Sequence, residues 1–152
     1  MEEGSGKVIV FKITELNHVG VAVLNLSETT EMFGSKFGLK VSDRIESKDQ
    51  GLSVALVQVG NSMVELMEPL ERTGAVAKFL EKQGRNFLHH IAFSVDSELD
   101  KVSSQLKDLG VSMTYPTARI GVIGEPINFC HPKFTSNILI ELCQTSDKSP
   151  DA

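Results

Sequence analysis

The sequence repeats itself once, and this repeat limits the possible folds more than any other feature of the chain. The stretch LNHVGVAV, which contains His18, is matched by LHHIAFSV, which contains His90, and the two histidines take the same place. Gly38 follows His18 at the same distance as Gly110 follows His90, and each glycine ends a helical pattern. A chain with such a repeat is predicted to fold as two similar units.

The first copy predicts a strand, a helix and three further strands. Apolar and polar residues alternate around His18, which is typical of a strand with one buried face. A helix is predicted after Asn25, with Phe33 and Phe37 on one side and Gly34 inside it, where glycine costs about 1 kcal/mol relative to alanine. The further strands are predicted over about 40–46, 53–59 and 62–67, with a hairpin turn at Gly60-Asn61.

The second copy predicts the same βαβββ order. Its helix has the apolar spacing of an amphipathic helix, and Asp96 or Ser97 could cap its N-terminus. The distance from His90 to the glutamate of the last strand is slightly longer than in the first copy, and we expect the extra residues in the turn-rich region 121–132. The apolar positions of the helix are Leu99, Val102, Leu106 and Leu109.

These patterns predict an α+β protein in which two tandem βαβββ modules form a curved mixed sheet. The length is that of one domain. Between the modules, an apolar pattern predicts a short linker helix that ends at Gly84. We expect an N-terminal extension over 1–13, a single domain over 14–144 and a C-terminal tail over 145–152. Within the domain, module one covers about 14–68, the linker helix about 74–84 and module two about 87–144.

Four residues are candidates for a metal site at the centre of the sheet: His18, Glu65, His90 and Glu141. Each glutamate lies inside an apolar strand, MVELM or LIELC, where an ionised carboxylate without a partner costs several kcal/mol. If the two units pair around a pseudo-twofold axis, the four side chains can meet in one cavity. Imidazole and carboxylate donors suit a divalent ion such as Co, Mn, Ni, Zn or Fe, and these ligand types do not choose among them.

The other two histidines, and each of the four candidates taken alone, can be explained without a metal site. A lone histidine or glutamate on a strand is usually a satisfied core or surface residue, and only the repetition of both types favours a metal site. Successive strand residues point to opposite faces, so His89 is expected to point away from His90 as a packed or hydrogen-bonded structural residue. The role of His131, before Pro132, stays open.

Composition narrows the class of partner. The net charge of −5 and the absence of a basic stripe argue against nucleic acid and against an anionic membrane surface, which leaves a small molecule. Cys130 and Cys143 are expected to be reduced core residues, because two cysteines do not make a disulfide framework. No apolar run approaches the length of a membrane span. Cytoplasm is the expected location, or the mitochondrial matrix if a targeting peptide has been removed.

The repeat and its four polar residues resemble the vicinal-oxygen-chelate (glyoxalase/bleomycin-resistance) superfamily over about Leu16 to Gln144. Paired βαβββ modules in that superfamily place one histidine and one acid from each half on a central metal. More narrowly, four stretches are similar to the methylmalonyl-CoA epimerase family. They are 75–82 (AVAKFLEK), 88–93 (LHHIAF), 119–133 (RIGVIGEPINFCHPK) and 139–142 (LIEL).

This resemblance implies a metal-dependent isomerase acting on an acyl-CoA, with a homodimer as the common assembly. The metal is expected to chelate the thioester and carboxylate oxygens of the malonyl group and to stabilise the enolate formed when the α-proton leaves. Inversion needs two acid/base groups on opposite faces, and Glu141 and Glu65 are the candidates. Glu141 is the stronger candidate for metal ligation, and Glu65 is the weaker candidate for proton transfer. The chain departs from the pattern at Val54, where some epimerases carry a glutamate, and at Phe33-Gly34, where an aromatic pair is common.

Other activities remain open on the same scaffold. A glyoxalase I type lactoylglutathione lyase can also use a His, Glu, His, Glu metal set and moves a proton beside a bound oxygen. A ring-opening dioxygenase is less compatible, because it needs three protein ligands and open positions, whereas four candidates are present here. A non-catalytic small-molecule-binding protein of the same fold is the alternative from another class.

Overall fold

The computed structural model describes residues 10–145, and their contacts divide them into two compact units. One unit is Asn17–Ile91, and the other comprises the described residues before and after it. The predicted extension over 1–13 and tail over 145–152 lie largely outside the described residues.

Strands and helices alternate in the order that the repeat predicts, and the α+β class is confirmed. The helices are α1 (Leu26–Glu31), α2 (Ala75–Gln83) and α3 (Leu99–Asp108), with a π-helical segment at Met32–Lys36 and a 3₁₀ turn at Pro132–Phe134. The strands are β1 (Ile13–Ala22), β2 (Lys40–Val41), β3 (Ile45–Ser47), β4 (Leu52–Val59), β5 (Ser62–Pro69), β6 (Phe87–Val95), β7 (Arg119–Ile120), β8 (Pro126–Cys130) and β9 (Ile140–Gln144).

In the Asn17–Ile91 unit, strands pair in the order β2-β4-β5-β1, and β3 also pairs with β4. β1 and β5 are parallel, whereas β4 and β5 form an antiparallel hairpin that turns at Gly60-Asn61, as predicted. Helix α1 covers one face of these strands, and its Leu26 packs with Val23, Val57 and Leu66 in a buried cluster. Since side chains alternate along β1, this packing leaves the face that carries His18 on the opposite side.

The strand predicted over 40–46 is interrupted by a β-bulge and forms β2 and β3 instead. Val41 faces Val57 and Ile45 faces Val54, so three residues on one strand lie opposite two on β4. The hydroxyl of Ser42 accepts a hydrogen bond from the Leu56 N–H at 2.9 Å, which replaces a backbone acceptor at the bulge.

The first helix is shorter than expected, and one of the two aromatic residues predicted on its apolar side is exposed. Asn25 caps it by accepting from the N–H of Glu28 at 2.9 Å. After α1 the chain widens into the π-helical segment that contains Gly34. Phe37 follows that segment and is 67% exposed, because the chain turns away at Gly38, whose φ is +67°. Phe37 does lie on the same side as Phe33, with ring centroids 6.3 Å apart, but it is not part of the buried core.

In the other unit, strands pair in the order β9-β8-β7, and helix α3 packs on β8 and β9. Its Leu99 and Val102 are fully buried, and they pack in a cluster with Val95 and Leu142. Leu109 lies beyond the end of α3 and is 44% exposed, which corrects its predicted inward position. Burial raises the pKa of the Cys130 thiol, and Cys130 and Cys143 are both free and buried, as predicted.

A backbone N–H at the N-terminus of α3 is capped by a side chain distant in sequence and not by the predicted caps Asp96 or Ser97. The N–H of Leu99 donates to Oε1 of Gln144 at 2.9 Å. Asp96 instead accepts from the N–H of Lys12 at 2.8 Å and from the Ser97 hydroxyl at 3.0 Å. The bond from Lys12 is the main reason that the pKa of the exposed Asp96 carboxyl lies below its usual value.

The extra length of the second copy lies mainly in the β8–β9 connection, residues 131–139, where the first copy has only the turn Gly60-Asn61. The 3₁₀ turn occupies part of this connection, and His131 caps it by accepting from the Lys133 N–H at 3.2 Å. The extra residues therefore lie mostly later in the chain than the predicted region 121–132. Among the described helices, none combines the length and apolar character that a membrane crossing requires.

Candidate metal centre

Three of the four predicted ligands converge within the Asn17–Ile91 unit. His18 lies on β1, Glu65 on β5 and His90 on β6. In the parallel pairing of β1 with β5, Gly20 lies opposite Glu65, and His18 is two residues before Gly20 on the same face. The register of two neighbouring strands thus brings the His18 imidazole and the Glu65 carboxylate to one side of the sheet.

The candidate ligand atoms of these residues form a tight triangle. The two Nε2 atoms of His18 and His90 are 3.0 Å apart, and their rings are nearly perpendicular, at 86°. Oε1 of Glu65 lies 3.8 Å from the His18 Nε2 and 3.7 Å from the His90 Nε2. The side chains are only 8%, 13% and 2% exposed for His18, Glu65 and His90, so the triangle is largely shielded from solvent.

This donor set fits a divalent cation. Two imidazole nitrogens and one carboxylate oxygen are the donors that first-row divalent ions accept. Atoms bound to one such ion at about 2.0–2.2 Å lie roughly 3 Å from one another when they are neighbours in its coordination shell. The two nitrogens already have this spacing, and the carboxylate oxygen needs only a small shift. All three atoms are also within 4.8 Å of one another, as a shared ion requires.

Two further side chains contact the remaining nitrogens of these histidines. Oδ1 of Asn17 lies 2.7 Å from Nδ1 of His18. Nδ1 of His89 lies 2.9 Å from Nδ1 of His90. The ring of His89 also packs edge-on against Phe79 of α2, at 4.9 Å between centroids. His89 is packed, as predicted, but its contact with His90 was not foreseen.

Gly20 leaves the space that the His90 ring occupies. A Cβ placed on Gly20 would lie 2.6 Å from Nε2 of His90 and would overlap the rest of the imidazole. No real Cβ approaches other atoms so closely. A residue with no side chain is therefore required opposite His90. The sequence carried a signal for this, since Gly20 lies on the predicted His18 face.

The fourth predicted ligand, Glu141, belongs to the other unit. It lies on β9, is 5% exposed and accepts a hydrogen bond from the Cys143 thiol at 3.4 Å. Val54, the position where some epimerases carry a glutamate, is fully buried on β4. Arg119, on β7, packs over the ring of Tyr115, with its guanidinium carbon 4.0 Å from the ring centroid.

Comparison with known proteins identifies the family. Residues 17–130 match the family described as the Glyoxalase/Bleomycin resistance protein/Dioxygenase superfamily. The human mitochondrial methylmalonyl-CoA epimerase is 33% identical over 135 residues, which cover 89% of this chain and 76% of the human protein. The sequence resemblance to this family is thereby confirmed.

Solved structures agree with the sequence comparison. The crystal structure of the Mycobacterium tuberculosis methylmalonyl-CoA epimerase has a TM-score of 0.84 and 34% identity, over 95% of this chain and 97% of the other. A methylmalonyl-CoA epimerase solved in complex with methylmalonyl-CoA and NH4+ has a TM-score of 0.83 and 32% identity, over 91% of this chain and 100% of the other. The chain belongs to the glyoxalase/bleomycin resistance protein/dioxygenase superfamily, in the family that contains the methylmalonyl-CoA epimerases.

Proposed function

We propose that this chain is an epimerase that interconverts (R)- and (S)-methylmalonyl-CoA. The observation that carries the proposal is the buried triangle of His18, Glu65 and His90, in a chain whose relatives bear that activity in their names. A relative solved with methylmalonyl-CoA supports an acyl-CoA substrate. The glyoxalase-type lyase and the non-catalytic binding protein have no comparable support among these relatives.

We propose that His18, Glu65 and His90 hold a divalent ion and that Glu141 is the fourth ligand. The case for Glu141 is its place in the repeat, equivalent to Glu65, and the burial of its carboxylate. Such an ion would act as a Lewis acid and stabilise the enolate of the substrate. Cobalt is our candidate for the metal, and the ligand types do not exclude Mn, Ni, Zn or Fe.

The proton chemistry is assigned to the two glutamates. Epimerisation breaks the α-carbon–hydrogen bond on one face, leaves the electron pair in the enolate and forms a new carbon–hydrogen bond on the other face. One carboxylate accepts the first proton, and a carboxylic acid on the opposite side donates the second. We propose Glu141 and Glu65 for these roles, because Val54 supplies no acid at the position where some epimerases have one.

Exchange of the α-proton tests the activity directly. Purified (R)- or (S)-methylmalonyl-CoA is incubated in D₂O with Co²⁺-loaded protein, and deuterium at the α-carbon is followed by NMR. We expect metal-dependent exchange accompanied by inversion, and only background exchange with a chelator present. Exchange no faster than that background would refute an epimerase. The glutathione hemithioacetal of methylglyoxal serves as the alternative substrate, and its turnover without epimerisation would indicate lyase chemistry.

The two glutamates can be separated by starting from each epimer. Glu65→Gln and Glu141→Gln remove one proton acceptor each while keeping the side-chain size. If each acid serves one face, each variant loses exchange from one epimer more than from the other, and inversion falls by about 100-fold or more. Metal content is measured in parallel, because loss of the ion would lower exchange from both epimers equally. Equal loss with full metal content would contradict the assignment of one acid to each face.

The same proposal extends to assembly and cellular role. We propose a homodimer, a place in propionyl-CoA metabolism, and a location in the cytoplasm or, after removal of a targeting peptide, in the mitochondrial matrix. Sedimentation equilibrium measures the mass of the assembly. Fractionation of cells that express the native gene locates the protein.

A further inference from the structure

The residue directly before each metal-binding histidine contacts the Nδ1 atom of that histidine. Asn17 precedes His18, with its Oδ1 at 2.7 Å, and His89 precedes His90, with its Nδ1 at 2.9 Å. Neighbouring residues of a strand normally point to opposite faces. In both copies of the repeat, however, the residue before the histidine contacts its Nδ1 atom, although Asn17 and His89 differ chemically.

The chemistry of imidazole gives this contact a function. A neutral imidazole that binds a metal through Nε2 carries its proton on Nδ1, and a hydrogen-bond acceptor at Nδ1 favours that tautomer and fixes the ring. The side-chain oxygen of Asn17 is such an acceptor. The Nδ1 atom of His89 is an acceptor only when the proton of His89 is on Nε2.

We propose that His89 is a positioning residue for the metal centre. Its Nδ1 accepts the Nδ1–H of His90 and thereby keeps the Nε2 lone pair of His90 directed toward His18 and Glu65. Phe79 of α2 packs against the His89 ring, with centroids 4.9 Å apart and planes at 85°, and fixes its orientation. The linker helix thus supports the metal centre through His89. This inference rests on the metal-binding role proposed above for His18, Glu65 and His90.

Two substitutions separate hydrogen bonding from packing. His89→Phe keeps an aromatic ring against Phe79 but has no acceptor, whereas His89→Asn offers an acceptor oxygen near the place of Nδ1 but no ring. The dissociation constant for Co²⁺ is measured by competition with a chromophoric chelator. We expect about 10–100-fold weaker binding for His89→Phe, the usual effect of losing such a partner, and binding within about threefold of wild type for His89→Asn.

The opposite ranking would overturn the inference, because weak binding by His89→Asn alone means that packing against Phe79 is what matters. If the wild-type protein and His89→Phe bind Co²⁺ equally well, the inference is overturned, but the proposed metal centre stands. A wild-type protein that retains no metal overturns both. These outcomes distinguish failure of the inference from failure of the proposed function.

NMR of the unmodified protein gives a test that needs no variant. Long-range ¹H–¹⁵N spectra of histidine-labelled, Zn²⁺-loaded protein report which ring nitrogen carries the proton. We expect the Nδ1–H tautomer for His90 and the Nε2–H tautomer for His89. An Nδ1–H tautomer for His89 overturns the inference, since that nitrogen would then be unable to accept.

Discussion

Gly20 lies where any side chain would occupy the space of the His90 imidazole. We therefore expect Gly20→Ala to push the His90 ring away from His18 and Glu65. Because ligand atoms must lie within a few tenths of an ångström of their place, the affinity for Co²⁺ should fall by at least about tenfold. Chelator competition measures the affinity, and circular dichroism verifies that the variant is folded.

Gly34→Ala is the matched control for this prediction. Its nearest neighbours to an added Cβ are Val41 and Leu39, at 3.8 Å and 3.9 Å, which are ordinary contacts. The alanine also suits a helical segment better than glycine, so the variant should be as stable as wild type or more stable, by up to about 1 kcal/mol. Equal metal affinity in Gly20→Ala and Gly34→Ala would contradict the role of Gly20.

The convergence of His18, Glu65 and His90 was easier to predict from the sequence than the side chains that contact them. His18, Glu65 and His90 could be found because the repeat marks them, and strand alternation explains why they share a face. The contact of His89 with His90 could not be found in this way, because alternation sends adjacent residues to opposite faces and says nothing about how far a ring can reach. Such contacts depend on side-chain rotamers, which periodicity does not encode.

At the scale of the elements, helix α3 depends on a residue far away in sequence. Gln144 of β9 accepts the N–H of Leu99 at 2.9 Å, while Glu98 at the N-cap position makes no side-chain cap. Gln144→Ala should lower the free energy of unfolding by about 1 kcal/mol, the usual cost of losing an N-terminal cap. Chemical denaturation followed by circular dichroism measures this change.

A charged acceptor at the same position provides the control. Gln144→Glu keeps an oxygen near the Leu99 N–H and adds negative charge at a helix N-terminus, where it is favourable. Its stability should therefore equal or exceed that of wild type. A loss as large as that of Gln144→Ala would show that the amide group itself, and not the acceptor oxygen, is needed.

Secondary structure was predicted correctly where an apolar pattern extends over many residues. It was predicted incorrectly where a single hydrogen bond determines the local structure. Helix α2 ends at Gly84, as expected, because that residue adopts a φ of +70° that favours glycine. The β-bulge depends on one hydrogen bond from Leu56 to the Ser42 hydroxyl, and the cap of α3 on a contact with Gln144. Neither partner is marked in the sequence by spacing or by composition.

At the scale of the whole molecule, metal binding should raise the free energy of unfolding. An ion that binds only the folded chain at about 100 times its dissociation constant adds about 2.7 kcal/mol to the free energy of unfolding. For a chain of this length that corresponds to a rise in Tm of roughly 5 to 10 °C. Differential scanning calorimetry with Co²⁺, and again with excess chelator, measures the difference.

The same measurement tests Glu141, the ligand predicted by the repeat. Glu141→Gln keeps the size of the side chain but binds metal more weakly, and a tenfold loss of affinity would reduce the metal-dependent stabilisation by about 1.3 kcal/mol at the same Co²⁺ concentration. Comparing each variant with and without metal cancels any effect on the fold itself. Glu46→Gln, at an exposed position of β3, is the control and should keep the full shift. If Glu141→Gln keeps the full metal-dependent stabilisation, Glu141 is not a ligand. If Glu141→Gln loses part of this stabilisation and Glu46→Gln does not, the result supports a metal centre to which both copies of the repeat contribute.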